Sequence, residues 1–184
     1  MLPAKLKERV EELGPTDELA LYYVLKYYNQ FKKSVPMTYV YNKLITVHGI
    51  NTGYSVGFDG RLKQKGFAQY DSMRNDKACV KPMISKRQFP LLLSFLRKRV
   101  RQYLLALHYV LKRYNRARKP VPLEAVCNFL KKHDIMITED HLSELKLPTA
   151  LIEVKGQKKI RFKPYIPKKE RINILEAIEK EIKI

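Results

Sequence analysis

Nine lysine and arginine side chains lie between residues 97 and 119, and no aspartate or glutamate interrupts them. They are Arg97, Lys98, Arg99, Arg101, Lys112, Arg113, Arg116, Arg118 and Lys119. A solvated helix usually mixes the two signs of charge, because opposite charges four residues apart stabilise it and like charges do not. Clustered lysine and arginine bind polyanions by displacing the counterions that condense on phosphates. The segment therefore predicts contacts with phosphate groups.

Positive charge is distributed over both halves of the chain. The net charge of +19 divides into +7 for residues 1–92 and +12 for residues 93–184. This balance fits nucleic acid or an anionic membrane surface. No apolar run approaches the length that spans a bilayer, and no secretory leader opens the sequence, so we expect no membrane partner. Two cysteines, Cys79 and Cys127, form no disulfide framework, which predicts a reducing, intracellular location.

One set of residues could support catalysis. Asp140, Glu153 and Lys155 loosely resemble the signature of metal-dependent nucleases, in which carboxylates hold Mg²⁺. No glycine-rich phosphate loop and no cysteine–histidine pairing indicates another catalytic chemistry. We predict a protein that is not an enzyme and needs no cofactor and no metal. The nuclease is kept as an alternative.

The chain contains one segment twice. Residues 19–44 and residues 105–130 are identical at 15 of 26 positions without a gap. The match resumes between residues 81–86 and residues 163–168, at an offset of 82 instead of 86. The period is longer than that of common solenoid repeats. Two small domains in tandem, residues 1–100 and 101–184, are therefore predicted.

Each repeat begins with two predicted helices. The first helix has apolar residues at helical spacing and is expected to end at Asn29 or Asn115, because asparagine tolerates the left-handed conformation of a C-terminal cap. The second helix is expected to start at Val35-Pro36 or Val121-Pro122, since proline suits a first helical turn.

A third helix and a β-hairpin complete each repeat. The third helix is expected to begin near Thr52 or Thr138, either of which could cap it. The hairpin strands are predicted at residues 67–70 and 78–80, and at residues 151–154 and 160–162. A capping-box pattern at Ser85 then opens one long basic helix over residues 86–116, which joins the two domains. A last helix is predicted over residues 168–184.

The order of three helices and a hairpin, with Leu62-Lys63-Gln64-Lys65-Gly66-Phe67 leading into the hairpin, resembles the winged-helix branch of the helix-turn-helix superfamily. The resemblance covers nearly the whole chain, twice. The second repeat departs from it, with Leu145-Lys146-Leu147-Pro148-Thr149 where the glycine would be. The resemblance implies a mostly α fold with small β-hairpin wings: two tandem winged-helix domains joined by a long basic helix.

The resemblance also implies which residues bind DNA. The third helix would enter the major groove, and the wing would follow the backbone or the minor groove. Arg61 is the preferred candidate for a guanine contact, because its planar fork can bond O6 and N7 together. The predicted DNA-binding residues are Lys32, Lys33, Tyr54, Ser55, Arg61, Lys63, Lys65, Arg74, Lys77, Arg97, Arg101, Arg116, Arg118, Lys119, Lys155, Lys158, Lys159 and Arg161.

We therefore expect a double-stranded DNA-binding protein that acts in transcription regulation, at a DNA replication origin or as an architectural factor. The first repeat would read sequence or shape, and the second would clamp the backbone. Protein partners in a nucleoprotein complex are a further class of expected partner. A scaffold subunit that binds protein or structured RNA through its winged helices is the main alternative.

Overall fold

The computed structural model describes residues 2–50, 57–74, 77–135, 149–153, 160–164 and 166–182. Over these ranges the chain is mostly helical, with two small antiparallel sheets. The chain divides into two compact units. Unit 1 comprises Met1–Ile45 and Asn51–Val100, and unit 2 comprises Thr46–Ile50 and Arg101–Ile184.

A helix, a short strand, a second helix and a hairpin follow one another in the same order in both units, and unit 1 has two further described helices, Ala4–Glu11 and Phe58–Gln64. The first seven elements are α1 (Ala4–Glu11), α2 (Pro15–Phe31), β1 (Val35–Pro36), α3 (Met37–His48), α4 (Phe58–Gln64), β2 (Ala68–Arg74) and β3 (Lys77–Pro82). Helix α5 (Phe89–Ala117) contains the boundary between the units. The others are β4 (Val121–Pro122), α6 (Leu123–Lys131), β5 (Thr149–Glu153), β6 (Ile160–Pro164) and α7 (Lys168–Ile182).

The two sheets have the same topology. In unit 1 the strand order is β1-β3-β2, with Val35 opposite Val80. In unit 2 the order is β4-β6-β5, with Val121 opposite Phe162. All neighbouring strands are antiparallel. The repeat in the sequence is thus also a repeat in strand pairing.

The prediction that the Val-Pro pairs begin the second helices was wrong. Both pairs are short strands, and the helices begin one residue later, at Met37 and Leu123. The residue before a proline is confined to extended backbone, which suits a strand. Pro122 is itself extended, at φ −62° and ψ 141°. Proline lacks an N–H to donate, and both strands lie at the edge of their sheets, where this is tolerated.

The predicted helix ends at Asn29 and Asn115 were also wrong. Helices α2 and α5 continue for two more residues, and the left-handed residues are Lys32 (φ 52°) and Arg118 (φ 54°). The backbone N–H of each donates to the carbonyl oxygen four residues earlier, at 2.9 Å and 2.8 Å. Asparagine is a common left-handed residue, but in each repeat the hydrogen-bonded turn closes at the basic residue instead.

A glycine turn connects α4 to the hairpin in unit 1. Gly66 has φ 67°, the N–H of Phe67 donates to the carbonyl of Leu62 at 2.8 Å, and the N–H of Gly66 donates to that of Lys63 at 2.9 Å. This pair of bonds is a Schellman motif, which places glycine in the left-handed position. Leu62 and Phe67, on either side of the turn, are both fully buried.

The long helix and both hairpins were predicted correctly. Helix α5 spans Phe89–Ala117, and the Oγ of Ser85 accepts a hydrogen bond from the N–H of Gln88 at 3.3 Å, as a capping box requires. The first hairpin has longer strands than expected. The predicted helix caps Thr52 and Thr138 and the third helix of the second repeat lie outside the described residues.

The residues that the two repeats share form the core. Leu19, Tyr23, Val24, Val40 and Leu44 are buried in unit 1. Their counterparts that are buried in unit 2 include Leu105, Val110, Val126 and Leu130. Burial of one such aliphatic side chain contributes about 1.5–3 kcal/mol. Tyr23 is a core residue and is therefore excluded as a platform for stacking bases.

Candidate nucleic-acid interface

Most cations of the basic segment from residue 97 to residue 119 are exposed. Arg99 is the exception: its Nε lies 2.6 Å from Oε1 of Glu18, a carboxylate that is 2% exposed. The other eight cations are exposed and form no ion pair with any residue that the structure describes. They are Arg97, Lys98, Arg101, Lys112, Arg113, Arg116, Arg118 and Lys119. These side chains are available to an anionic ligand.

The spacing of these cations is unfavourable for the helix itself. Arg97 and Arg101 are four residues apart, and so are Lys112 and Arg116, so each pair places like charges on one face of α5. Each such pair destabilises a helix by roughly 0.2–0.5 kcal/mol. Stability of the isolated fold therefore does not account for the arrangement. A negatively charged ligand would be attracted to both members of each pair and would offset their mutual repulsion.

A basic corner follows the first helix of each repeat. We use this name for Lys32-Lys33 in unit 1 and Arg118-Lys119 in unit 2, all four of which are exposed. The first residue of each corner has left-handed backbone, which costs a residue other than glycine roughly 1–2 kcal/mol. Cations at a helix C-terminus recover part of this cost through the helix dipole. Both repeats thus place a cation where glycine would be less strained.

Arg61, the predicted guanine-binding residue, is paired inside unit 1. Its Nε and one terminal nitrogen donate to the two carboxylate oxygens of Asp17, each at 2.7 Å. Asp17 is 9% exposed, and its hydrogen bonds are the main cause of the raised pKa of Arg61. The pair connects α4 to the start of α2. The pair uses the Nε edge of the guanidinium, so a guanine contact by Arg61 would have to use its remaining N–H donors.

The other two cations of the α4 region also have internal partners. Lys65 Nζ donates to Oε2 of Glu12 at 2.5 Å, and this hydrogen bond is the main cause of the lowered pKa of Glu12. Lys63 Nζ lies 5.5 Å from the centre of the Tyr70 ring. The Tyr70 hydroxyl donates to Asp59, which raises the pKa of Tyr70 to about 12. The phenol is therefore neutral and a donor at neutral pH.

Sequence reasoning missed these partners. Asp17 lies 44 residues before Arg61, and Glu12 lies 53 residues before Lys65. Helical or strand spacing relates only residues of one element, so it could not predict pairs so far apart in the sequence. One signal was available in the sequence. Glu12 and Asp17 are among the few acidic residues of a basic half, which makes them candidate partners for its lysines and arginines.

Three of the remaining predicted residues lie in hairpin strands. Arg74 and Lys77 are opposite each other at the end of the first hairpin. Arg161 lies in β6 between Pro122 and Ile152, and its buried Nε has no hydrogen-bond partner among the described residues. Tyr54, Ser55, Lys155, Lys158 and Lys159 lie outside those residues, so the basic tip of the second hairpin stays a prediction.

The nuclease-like residue set lies only partly within the described residues, so it stays a prediction. Glu153 ends β5 opposite Ile160, whereas Asp140 and Lys155 lie outside the described ranges. Within those ranges no group of three or more histidine, cysteine, aspartate or glutamate residues could hold a metal ion, and no helix is long and apolar enough to cross a membrane.

Comparison of the chain with protein-family models, with curated proteins and with solved structures finds no match.

Proposed function

We propose that this chain is a non-enzymatic protein that binds double-stranded DNA through two winged-helix units. The observation that carries the proposal is the set of eight exposed cations between Arg97 and Lys119, which no described acid neutralises. Such a set releases condensed counterions when it meets a phosphate backbone, and this is the main source of affinity for DNA.

The arrangement of strands and helices supports the winged-helix part of the proposal. In unit 1 the order is helix, short strand, helix, helix and hairpin, and the short strand pairs with the second hairpin strand. This is the order of elements in a winged helix. Unit 2 has the same strand pairing. Its third helix, predicted to begin near Thr138, lies outside the described residues.

The internal pairing of the α4 cations changes the proposed division of labour. Arg61 is bound to Asp17 and Lys65 is bound to Glu12, whereas the cations of α5 other than Arg99 and those of the basic corners are exposed and have no acidic partner among the described residues. Contacts to phosphates position a protein on DNA but carry no direct sequence information. We therefore propose that backbone contacts supply most of the affinity, as in an architectural factor or an origin-binding protein.

The test is a salt series of binding to duplex DNA, single-stranded DNA and duplex RNA. For duplex DNA we expect the logarithm of the association constant to fall steeply with the logarithm of salt, as on the order of 6–10 phosphate contacts would require. The variant Arg97→Gln/Arg101→Gln should lower that slope by about 2, because each lost contact removes about 0.9. The same variant should be slightly more stable, since a like-charge pair is removed.

A matched control removes the same number of positive charges from α7 instead of α5. The variant Lys168→Gln/Lys169→Gln removes two exposed cations from the first turn of α7 and should leave the slope nearly unchanged. Equal losses in the two variants would reduce DNA binding to a general effect of net charge. Weak and similar binding to all three nucleic acids would contradict the proposal and favour a scaffold that binds protein, and a clear preference for duplex RNA would favour the RNA alternative.

A further inference from the structure

Three aromatic side chains of unit 1 form a partly exposed cluster at the end of α2. The ring centres of Tyr27 and Phe31 are 4.6 Å apart, and those of Tyr27 and Tyr39 are 4.8 Å apart. Phe31 is 47% exposed, and the two tyrosines are half-buried. We call Tyr27, Phe31 and Tyr39 the aromatic ledge. It presents apolar ring surface to solvent, which is unfavourable unless a ligand covers it.

The shared fold does not need the ledge. The equivalent positions of the second repeat hold Arg113, Ala117 and Ala125. Helices α5 and α6 nevertheless form there, and the strand between them pairs in the same register as its counterpart. The aromatic residues are therefore a difference between two copies of one fold. Exposed residues that differ between such copies are where their binding properties can diverge.

The ledge is followed directly by the basic corner of unit 1. Lys32 and Lys33 are exposed, and Lys32 Nζ donates to the side chain of Asn29 at 3.2 Å. No aspartate or glutamate occurs between residues 19 and 58. Among the contacts of the described residues, the acid next to this corner is Asp71, which accepts a hydrogen bond from the Ser34 hydroxyl. A ligand for this surface thus combines a flat apolar face with negative charge.

An unpaired nucleotide has this combination. Its base offers a π-face to an aromatic side chain, and its phosphate offers charge to a lysine. A continuous duplex does not, because its base faces are already stacked on one another. Stacking on aromatic side chains is also tolerant of base identity, so the ligand class is any single-stranded segment.

We propose that the aromatic ledge stacks an unpaired base that adjoins the duplex, while Lys32 and Lys33 contact the phosphates beside it. This rests on the proposed function, because the rest of the chain holds the duplex. It adds a preference that phosphate contacts alone cannot give. The preferred ligand becomes a junction between double-stranded and single-stranded DNA.

The experiment compares a blunt duplex with the same duplex carrying a single-stranded tail of about 8 nucleotides, within the usual site size for single strands. The variant Phe31→Ala/Tyr39→Ala installs the residues of the second repeat, which its fold accepts. We expect the wild type to prefer the tailed duplex. The variant should lose that preference by roughly 5- to 150-fold, the range for losing one stacked base, and keep its affinity for the blunt duplex.

A second variant reports on stacking directly. The chain has no tryptophan, so Phe31→Trp introduces a single reporter. Its emission should be quenched by the tailed duplex and not by the blunt one, and its preference for the tail should equal that of the wild type. Met83→Ala, which removes another exposed apolar side chain (53% exposed), is the matched control and should change neither affinity.

The outcomes separate this inference from the proposed function. An unchanged ratio of tailed to blunt affinity in Phe31→Ala/Tyr39→Ala, with no quenching in Phe31→Trp, would overturn the ledge as a base-stacking site and point to a protein partner there. Duplex binding with a steep salt dependence would still stand in that case. If the wild type binds the blunt duplex weakly and with a shallow slope, the proposed function itself fails. Melting temperatures of all variants establish that they fold.

Discussion

The two units make an equivalent contact to a tyrosine position that both repeats share with different partners, an aromatic ring in unit 1 and a guanidinium in unit 2. In unit 1 the ring of Tyr28 packs against the ring of Phe89, with centres 5.9 Å apart. At the equivalent place in unit 2, the guanidinium of Arg171 lies 5.2 Å from the centre of the Tyr114 ring. Arg171 is buried, and its Nε also donates to the Asn115 side chain at 2.7 Å. The position of the contact is therefore kept while a ring is exchanged for a cation, which a cation–π interaction permits.

A second difference concerns where the units keep their acids. Unit 1 buries Asp17 and Glu18 at the start of α2, where they pair with Arg61 and Arg99. The second repeat holds Tyr103 and Leu104 at these positions, and both are buried. Unit 1 thus neutralises part of its own positive charge, whereas this device is missing from the equivalent positions of unit 2. Net charge alone is therefore a poor guide to which cations reach a ligand.

The largest expected effect is on the core that the units share. Leu44→Ala and Leu130→Ala truncate equivalent, fully buried side chains. Each should lower the free energy of unfolding by about 2–5 kcal/mol, because lost burial and a residual cavity both destabilise the fold. Denaturant unfolding of both variants measures this. A loss below about 1 kcal/mol in only one of them would show that the repeats do not use the position alike.

Removal of the acid that is specific to unit 1 should have a smaller effect. Asp17→Asn removes the charge that holds Arg61, and the free energy of unfolding should fall by about 1–2 kcal/mol, since hydrogen bonds to charged groups are strong but Arg61 is partly screened by water. Binding to duplex DNA is the second measurement. If Arg61 contacts guanine, loss of its charged partner should change the affinity for one sequence relative to others, whereas our proposal expects no sequence-dependent change.

The basic corners offer a test in which stability and affinity change in opposite directions. Lys32→Gly and Arg118→Gly relieve left-handed strain, so the free energy of unfolding should stay unchanged or rise by up to about 1 kcal/mol. Each should lower the salt slope for duplex DNA by about 0.9. The charge-preserving changes Lys32→Arg and Arg118→Lys serve as controls. A stable glycine variant with wild-type affinity and slope would remove that corner from the interface.

The smallest effect is confined to high pH. Because Asp59 raises the pKa of Tyr70 to about 12, the folded state holds the phenol proton more tightly than the unfolded state, whose tyrosine pKa is about 10. This contribution to stability is complete below pH 10 and is lost as the pH rises to about 12. Burial and Asp59 also raise the pKa of Tyr41, so ultraviolet absorbance should show late-titrating tyrosines in the wild type, and Tyr70 should titrate at lower pH in Asp59→Asn. Identical titrations would mean that the hydrogen bond is absent in solution.

The sequence by itself determined the repeat, the positions of the long helices and hairpins, and the basic surface of α5. These follow from local information, because helical spacing, alternation and charge density are visible within a short window. The core followed for a related reason: Tyr23, Val40 and Leu44 recur in both repeats, and a recurring apolar residue at helical spacing has a common role in the fold.

Only the tertiary structure decided which cations are already bound. Arg61 and Asp17 meet because α4 packs against the start of α2, and the 44 residues between them leave no trace in either local pattern. The Val-Pro strands were missed for the same reason, since Val35 becomes a strand residue only by pairing with Val80. The left-handed corners at Lys32 and Arg118 likewise required the backbone, because intrinsic preference favoured asparagine there. Long-range packing selects among conformations that local propensity leaves close in energy.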